Sequence, residues 1–139
     1  MKHQYLPAKV KLGNEDFDFQ HEMLFFVVEG IVDYTKGRGE SGDIDPIFRI
    51  FHDYIDMYFK HEEDRMRELN YPDIDKHISE HGTFEIRVLD LERAFMTAPD
   101  RASKVAIART VLDYLYDWME THFVRTDKEF CDYMAAREH

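Results

Sequence analysis

The sequence predicts an all-α protein, specifically an antiparallel up-down-up-down four-helix bundle with an N-terminal arm. Three observations predict this fold. Apolar residues recur at helical three-and-four spacing along nearly all of the 139 residues. Turn-forming residues divide that pattern into four long stretches. The connections between the stretches are short, so consecutive helices are expected to be antiparallel neighbours within one domain.

Turn residues set the predicted ends of the first two helices. The first helix stops at the glycine-containing segment 36–39. The second begins at Asp45-Pro46, where an N-cap residue precedes proline at the first helical position, and the Asn-Tyr-Pro turn at 70–72 ends it. The arm is therefore predicted over about residues 1–16, and these helices over about 17–37 and 45–69.

The third and fourth predicted helices meet at an Ala-Pro-Asp turn, residues 98–100. His122 and Asp127 are both expected to face inward, although a regular α-helix would leave them about 140° apart. A break or π-type bulge is therefore predicted near residues 122–127. The two helices are predicted over about residues 73–96 and 100–135.

Composition and charge favour a cytoplasmic protein and argue against two classes of partner. The net charge of −11 would repel a nucleic-acid backbone. No apolar run approaches the roughly 20 residues that span a bilayer, and the N-terminus lacks the apolar core of a signal peptide. The lone cysteine, Cys131, cannot form an internal disulfide, which fits a reducing compartment.

Histidines and carboxylates fall on the inward stripes of the predicted helices. His77 and His81 are four residues apart, so both rings leave one face of the third helix. Each residue alone has an ordinary alternative, as a core histidine or a boundary carboxylate. Burying all of them in one layer is costly unless something pairs them, and a metal would. The predicted ligands are His21, Glu62, His77, His81, His122 and Asp127.

This donor set also bears on the metal. Mixed imidazole and carboxylate ligands favour iron, manganese or zinc over calcium or magnesium. Two carboxylates among so many ligands suggest two bridged ions rather than one.

The residues around these positions resemble the hemerythrin family, in particular the single-domain bacterial hemerythrins. Residues 18–21, Asp-Phe-Gln-His, are similar to the family's first-helix motif, and residues 59–66 to its second. Residues 77–84 contain the third-helix pair of histidines followed by a phenylalanine. In residues 118–127 a tryptophan precedes the histidine by four positions and an aspartate follows it by five. The resemblance extends over about residues 12–134.

The resemblance implies an oxo- or hydroxo-bridged pair of non-haem iron ions that binds dioxygen, in a carrier, store or sensor. Glu62 and Asp127 would bridge the ions, and His21 would hold the iron that takes dioxygen. The other iron would be held by His77, His81 and His122. An apolar pocket would keep water away from the bound oxygen, and its predicted residues are Phe25, Phe59, Ile78, Trp118 and Met119.

Tyr58 departs from the family motif, which has a histidine ligand four residues before the bridging glutamate. Three interpretations are open. Tyr58 binds iron as a phenolate, an anionic ligand that favours Fe(III). Alternatively, its hydroxyl lies near the site without binding iron and donates a hydrogen bond to the bound oxidant. In the third interpretation it is inert filler, and the centre rearranges or recruits His61.

Other functions remain as alternatives to oxygen binding. The first is a diiron redox enzyme that acts on peroxide, nitric oxide or another small oxidant, with Tyr58 as iron ligand or nearby donor. The second is an iron store without further chemistry, and the third is a metal-free helical interaction module. The expected partner is dioxygen or a related small oxidant, with no nucleic acid or membrane, and the sequence names no protein partner.

Overall fold

The computed structural model describes residues 12–38 and 45–137, and every regular element within these ranges is helical. The prediction of an all-α four-helix bundle is confirmed. Most of the predicted arm, residues 1–11, lies outside the described residues. The first helix, α1, spans Glu15–Thr35, and Asn14 caps its N-terminus by accepting hydrogen bonds from two backbone N–H groups of the first turn.

The remaining helices differ in their regularity. Helix α2 has an α-helical segment, a π-helical segment and a second α-helical segment, which span Asp45–Asp53, Tyr54–Phe59 and Lys60–Glu68. Helix α3 is α-helical throughout and spans Ile74–Thr97. Helix α4 again has α-, π- and α-helical segments, which span Arg101–Trp118, Met119–Asp127 and Lys128–Arg137. The π-helical segment of α4 covers the residues where the spacing of His122 and Asp127 predicts such an irregularity.

Left-handed residues end the first two helices. Gly37 follows α1 with φ of +73°, and the next N–H, of Arg38, donates to the Asp33 carbonyl at 2.8 Å. Asn70 follows α2 with φ of +53°, and the N–H of Tyr71 donates to the Met66 carbonyl at 2.9 Å. Both residues end their helices by a backbone hydrogen bond that closes the last turn.

The helices form a bundle in which α1 and α3 each pack against both α2 and α4. Gly30 lets α1 approach α2 closely, since a Cβ atom at this position would lie 2.9 Å from Ile47 Cδ1. No described helix is long and apolar enough to cross a bilayer.

Two apolar clusters fill the interior and lie on either side of a polar layer. The larger cluster draws on all four helices and includes Leu24, Phe59, Phe84 and Trp118. The smaller cluster contains Phe17, Met66, Tyr71, Phe130, Cys131 and Met134. In α1 and α2 the residue of the polar layer falls between these two sets along the chain. Phe17 and Leu24 lie on either side of His21, and Phe59 and Met66 on either side of Glu62, so apolar packing covers the layer from both ends.

Candidate metal centre

The polar layer consists of histidines and carboxylates that are almost fully buried. Each has at most 2% of its surface exposed, although such residues are normally found at the surface. They come from all four helices and are His21, Glu62, His77, His81, His122 and Asp127. The structure thus brings together the six histidine and carboxylate residues predicted from the sequence.

Asp127 lies at the middle of the layer and divides it. Its Oδ1 atom lies 3.0 Å from His122 Nε2 and 3.1 Å from His77 Nε2. Its Oδ2 atom lies 3.0 Å from His21 Nε2. One carboxylate oxygen therefore faces the α3 and α4 histidines while the other faces α1, which is the arrangement that a bridge between two cations requires.

Glu62 approaches the same group from α2. Its Oε1 atom lies 3.3 Å from the Nε2 atoms of both His77 and His81. One ligand atom from each of Glu62, His77, His81 and His122 lies within 4.8 Å of the others, so these four atoms can surround one cation. The three histidines direct Nε2, rather than Nδ1, towards that point.

The π-helical segment of α4 explains how one helix supplies two of these groups. Hydrogen bonds in a π-helix join residues five apart, so His122 and Asp127 lie one wide turn from each other. A regular α-helix would turn one of them away from the layer.

Several buried polar atoms of the layer have no hydrogen-bond partner among the described residues. Among these atoms, five face one another in the layer, namely Glu62 Oε1, His77 Nε2, His81 Nε2, His122 Nε2 and Asp127 Oδ1. Native proteins leave few such atoms unpaired because each costs free energy. A cation between them would pair all five at once, and their nitrogen and oxygen chemistry fits iron.

Electrostatic coupling within the layer is strong. Burial lowers the pKa of His77, but contacts with Asp127 and Glu62 outweigh burial and raise it to about 9. Burial also disfavours the charged form of His122, and the nearby Asp127 carboxylate raises its pKa nonetheless. The pKa of Asp127 is held well below its usual range, against the effect of burial, by the three histidines around it. Without metal, protons therefore occupy part of the layer at neutral pH.

Two carboxylates just outside the layer are not among the residues predicted from the sequence. Glu63 Oε2 lies 2.8 Å from His81 Nδ1, and Glu80 Oε1 lies 2.9 Å from His122 Nδ1. The Thr126 hydroxyl also donates to Glu80 Oε1, at 2.9 Å. Burial raises the pKa of Glu80, but the contacts with His122 and Thr126 outweigh it and the pKa is lowered. Both glutamates look like solvent-facing helix residues in the sequence, and only the distances between helices reveal their contacts.

Aromatic rings cover three of the histidines. Phe59 stacks on His81 with ring centroids 3.8 Å apart, and Trp118 stacks on His122 at 4.0 Å. Phe123, which the sequence analysis did not select, stacks on His21 at 3.6 Å.

The other predicted pocket residues differ in their burial. Met119 is fully buried, whereas Phe25 is partly buried at the edge of the larger cluster. Ile78 is half-buried and belongs to neither apolar cluster.

The structure does not bring Tyr58 into the group of ligand atoms. Its ring is half-buried, and its hydroxyl donates to the Met23 sulfur at 3.0 Å. Its ring packs edge-on against Phe19, on the outer side of α1. His61, the residue that could replace it, is exposed. Both residues line a surface groove of about 350 Å³ between α1 and α2.

A different tyrosine faces the interior. Tyr54 is 1% exposed and its ring packs against Phe59 and Phe84. Burial raises its pKa well above the ordinary value, and the Glu62 and Asp127 carboxylates raise it further. The Tyr54 side chain is therefore an uncharged phenol at neutral pH, buried in the larger apolar cluster.

Comparisons with known proteins agree with this site. The family model described as the hemerythrin HHE cation binding domain matches residues 12–133. A bacteriohemerythrin of Methylococcus capsulatus is 27% identical over 119 residues, which is 86% of each chain. A bacteriohemerythrin of Clostridium acetobutylicum is 23% identical over 125 residues, 88% of this chain and 94% of the relative. No solved structure gives a significant match.

Proposed function

The chain belongs to the hemerythrin family and on that basis is a non-haem diiron protein that binds dioxygen; we propose that it takes up and releases dioxygen reversibly, as a carrier, store or sensor. The observation that supports the two-ion centre on which this proposal depends is the central carboxylate of Asp127, whose two oxygens face different sets of histidines. That division supports two ions rather than one.

The proposed ligands divide between two ions. His77, His81 and His122 would hold the first, with Glu62 and Asp127 bridging to the second. His21 would hold the second ion, which receives fewer protein ligands because the Tyr58 hydroxyl is directed to Met23. Dioxygen would therefore bind on the His21 side.

Two bound iron ions supply the electrons that make dioxygen binding possible and reversible. The protein controls the surroundings of that chemistry. Phe123 stacks on His21, and Trp118 and Met119 are buried in the adjoining layer. Their apolar side chains would limit the access of water to the His21 side of the centre, and exclusion of water would favour reversible binding over oxidation.

Iron content and reversibility test the proposal. The purified chain, loaded with ferrous iron without air, should contain two iron ions and develop a visible absorption band under oxygen that disappears under vacuum. His21→Ala should lose most of that band. His61→Ala is the matched control, because His61 is exposed and lies outside the polar layer, and it should behave like the parent.

Two results would contradict the proposal. If the His21→Ala protein binds oxygen as the parent does, the site of binding is elsewhere. If the band decays at once to ferric protein with turnover of peroxide or nitric oxide, the redox enzyme is the better description. We further propose a cytoplasmic location, supported by the single cysteine, and no nucleic-acid partner, supported by the net charge of −11.

A further inference from the structure

The three histidines that face one metal position differ in what lies behind them. His81 and His122 each present Nδ1 to a glutamate carboxylate, at 2.8 and 2.9 Å. His77 Nδ1 has no hydrogen-bond partner within the described residues. The glutamates are Glu63 from α2 and Glu80 from α3, so two different helices supply the same kind of contact.

A bound cation would fix the tautomer of both rings. Nε2 points towards the metal position and would need a lone pair to bind a cation, so Nδ1 would carry the hydrogen and donate it to the carboxylate. A glutamate in this position orients the ring and also pulls positive charge out of it, which makes Nε2 a better electron donor to the metal.

Glu80 is itself held in place. Its Oε1 atom accepts from Thr126, which is 6% exposed and lies in the π-helical segment of α4. Glu63 has a looser second contact, because its other oxygen lies 3.8 Å from Arg67. The side chains of Glu63 and Glu80 are 20% and 29% exposed, so solvent only partly screens their charges.

From these contacts we propose that Glu63 and Glu80 are positioning residues that bias the three-histidine iron towards Fe(III), an inference that rests on the proposed diiron function. Loss of one electron from Fe(II) adds one positive charge to the centre. Two carboxylates that accept hydrogen bonds from its ligands stabilise that extra charge. Their removal should therefore favour Fe(II).

Charge and orientation can be separated by two kinds of substitution. Glu63→Gln and Glu80→Gln keep an oxygen that can accept from Nδ1 but remove the negative charge. Each should keep two irons and shift the Fe(III)/Fe(II) equilibrium towards Fe(II) about tenfold, which is about 59 mV for one electron. The reduction potential is measured by titration with redox mediators.

Glu80→Ala removes the acceptor as well as the charge. It should weaken binding of cobalt(II), used as a spectroscopic probe of the same ligands, by about 10- to 100-fold relative to the parent. The matched control is Glu85→Gln, which removes the same charge from an exposed position five residues further along α3. It should change neither the potential nor the cobalt affinity.

The experiments separate a failure of the proposed role of Glu63 and Glu80 from a failure of the proposed diiron function. If Glu63→Gln and Glu80→Gln shift the potential no more than Glu85→Gln, the two glutamates do not tune the centre and the inference is wrong. If the parent binds no iron, the diiron function itself fails. Equal cobalt affinity in the parent and Glu80→Ala would also overturn the positioning role.

Discussion

Tyr58 occupies the sequence position of a family metal ligand, but its hydroxyl does not lie among the buried ligand atoms. The family motif places a histidine here, four residues before the bridging glutamate. In the structure the phenol contacts Met23 and Phe19 instead of the buried ligand atoms. Of the three interpretations drawn from the sequence, this geometry is least consistent with an iron-bound phenolate. In the second interpretation the hydroxyl lies near the site and donates a hydrogen bond, and in the third it has no role. A substitution at Tyr58 tests the role of the hydroxyl.

Replacement of Tyr58 tests its role directly. Tyr58→His should add an imidazole on the His21 side and raise iron retention at that position by about 10-fold or more. Tyr58→Phe removes only the hydroxyl and should leave iron content unchanged, with no loss of a purple charge-transfer band. Iron content after dialysis against a chelator and the visible spectrum measure both effects. A purple parent that turns colourless in Tyr58→Phe would mean that the phenolate does bind iron.

The ends of the helices can be predicted from the sequence, because turn-forming residues such as glycine mark them. Gly37 follows α1 with φ of +73°, a conformation that costs other residues free energy. Gly82 lies inside α3, and a Cβ atom at this position would have no neighbouring atom within 4 Å, so it has no steric need to be glycine. The two glycines therefore have opposite expected responses to one substitution.

Alanine substitution should separate these glycines. Gly37→Ala should destabilise the fold by about 1 kcal/mol, because alanine disfavours the left-handed conformation. Gly82→Ala should stabilise it by roughly 0.5–1 kcal/mol, through the higher helix propensity of alanine. Urea unfolding followed by circular dichroism measures both in the iron-loaded protein. Equal effects at the two positions would show that the backbone conformation at Gly37 is not the cause.

The helices and the buried ligands followed from sequence, but the outer contacts did not. Periodicity and turn residues indicate the four helices because those signals are local. The spacing of His122 and Asp127 indicates an irregular helix for the same reason, although the matching π-helical segment at Tyr54–Phe59 has no such signal. Glu63 and Glu80 could not be predicted, because each of their contacts joins two different helices. Residue type alone does not distinguish them from solvated glutamates.

At the scale of the whole molecule, a charged layer separates two apolar clusters. Such a layer costs free energy unless its groups are paired, so the metal is expected to contribute to the stability of the entire bundle. Without metal, protons take over part of that pairing. His77, whose pKa is raised to about 9 in the folded state, is the clearest example.

The stability of the metal-free protein should therefore depend on pH. Because the folded pKa of His77 exceeds its unfolded value of about 6.5, its contribution is complete below pH 6.5 and is lost as pH rises through 9. The Tm of the metal-free protein should fall by roughly 5–10 °C between pH 6 and pH 9.5. The metal-loaded protein is the control, since metal replaces the proton on His77, and its Tm should change less. A metal-free Tm that rises over this range would contradict the assignment.

The π-helical segment of α2 determines which of two tyrosines faces the interior of the bundle. Tyr54 and Tyr58 both lie within Tyr54–Phe59 and precede Glu62 by eight and four residues. The wide turn changes the direction in which its side chains leave the helix: Tyr54 is buried among aromatic rings, while Tyr58 is half-buried and contacts Phe19 of α1. The backbone conformation of this segment, and not the sequence spacing alone, therefore determines which phenol faces the interior of the bundle. Deletion of one residue within Tyr54–Phe59 is expected to make this segment regular α-helix and so change which tyrosine faces the interior, while the histidine and carboxylate ligands keep their identity.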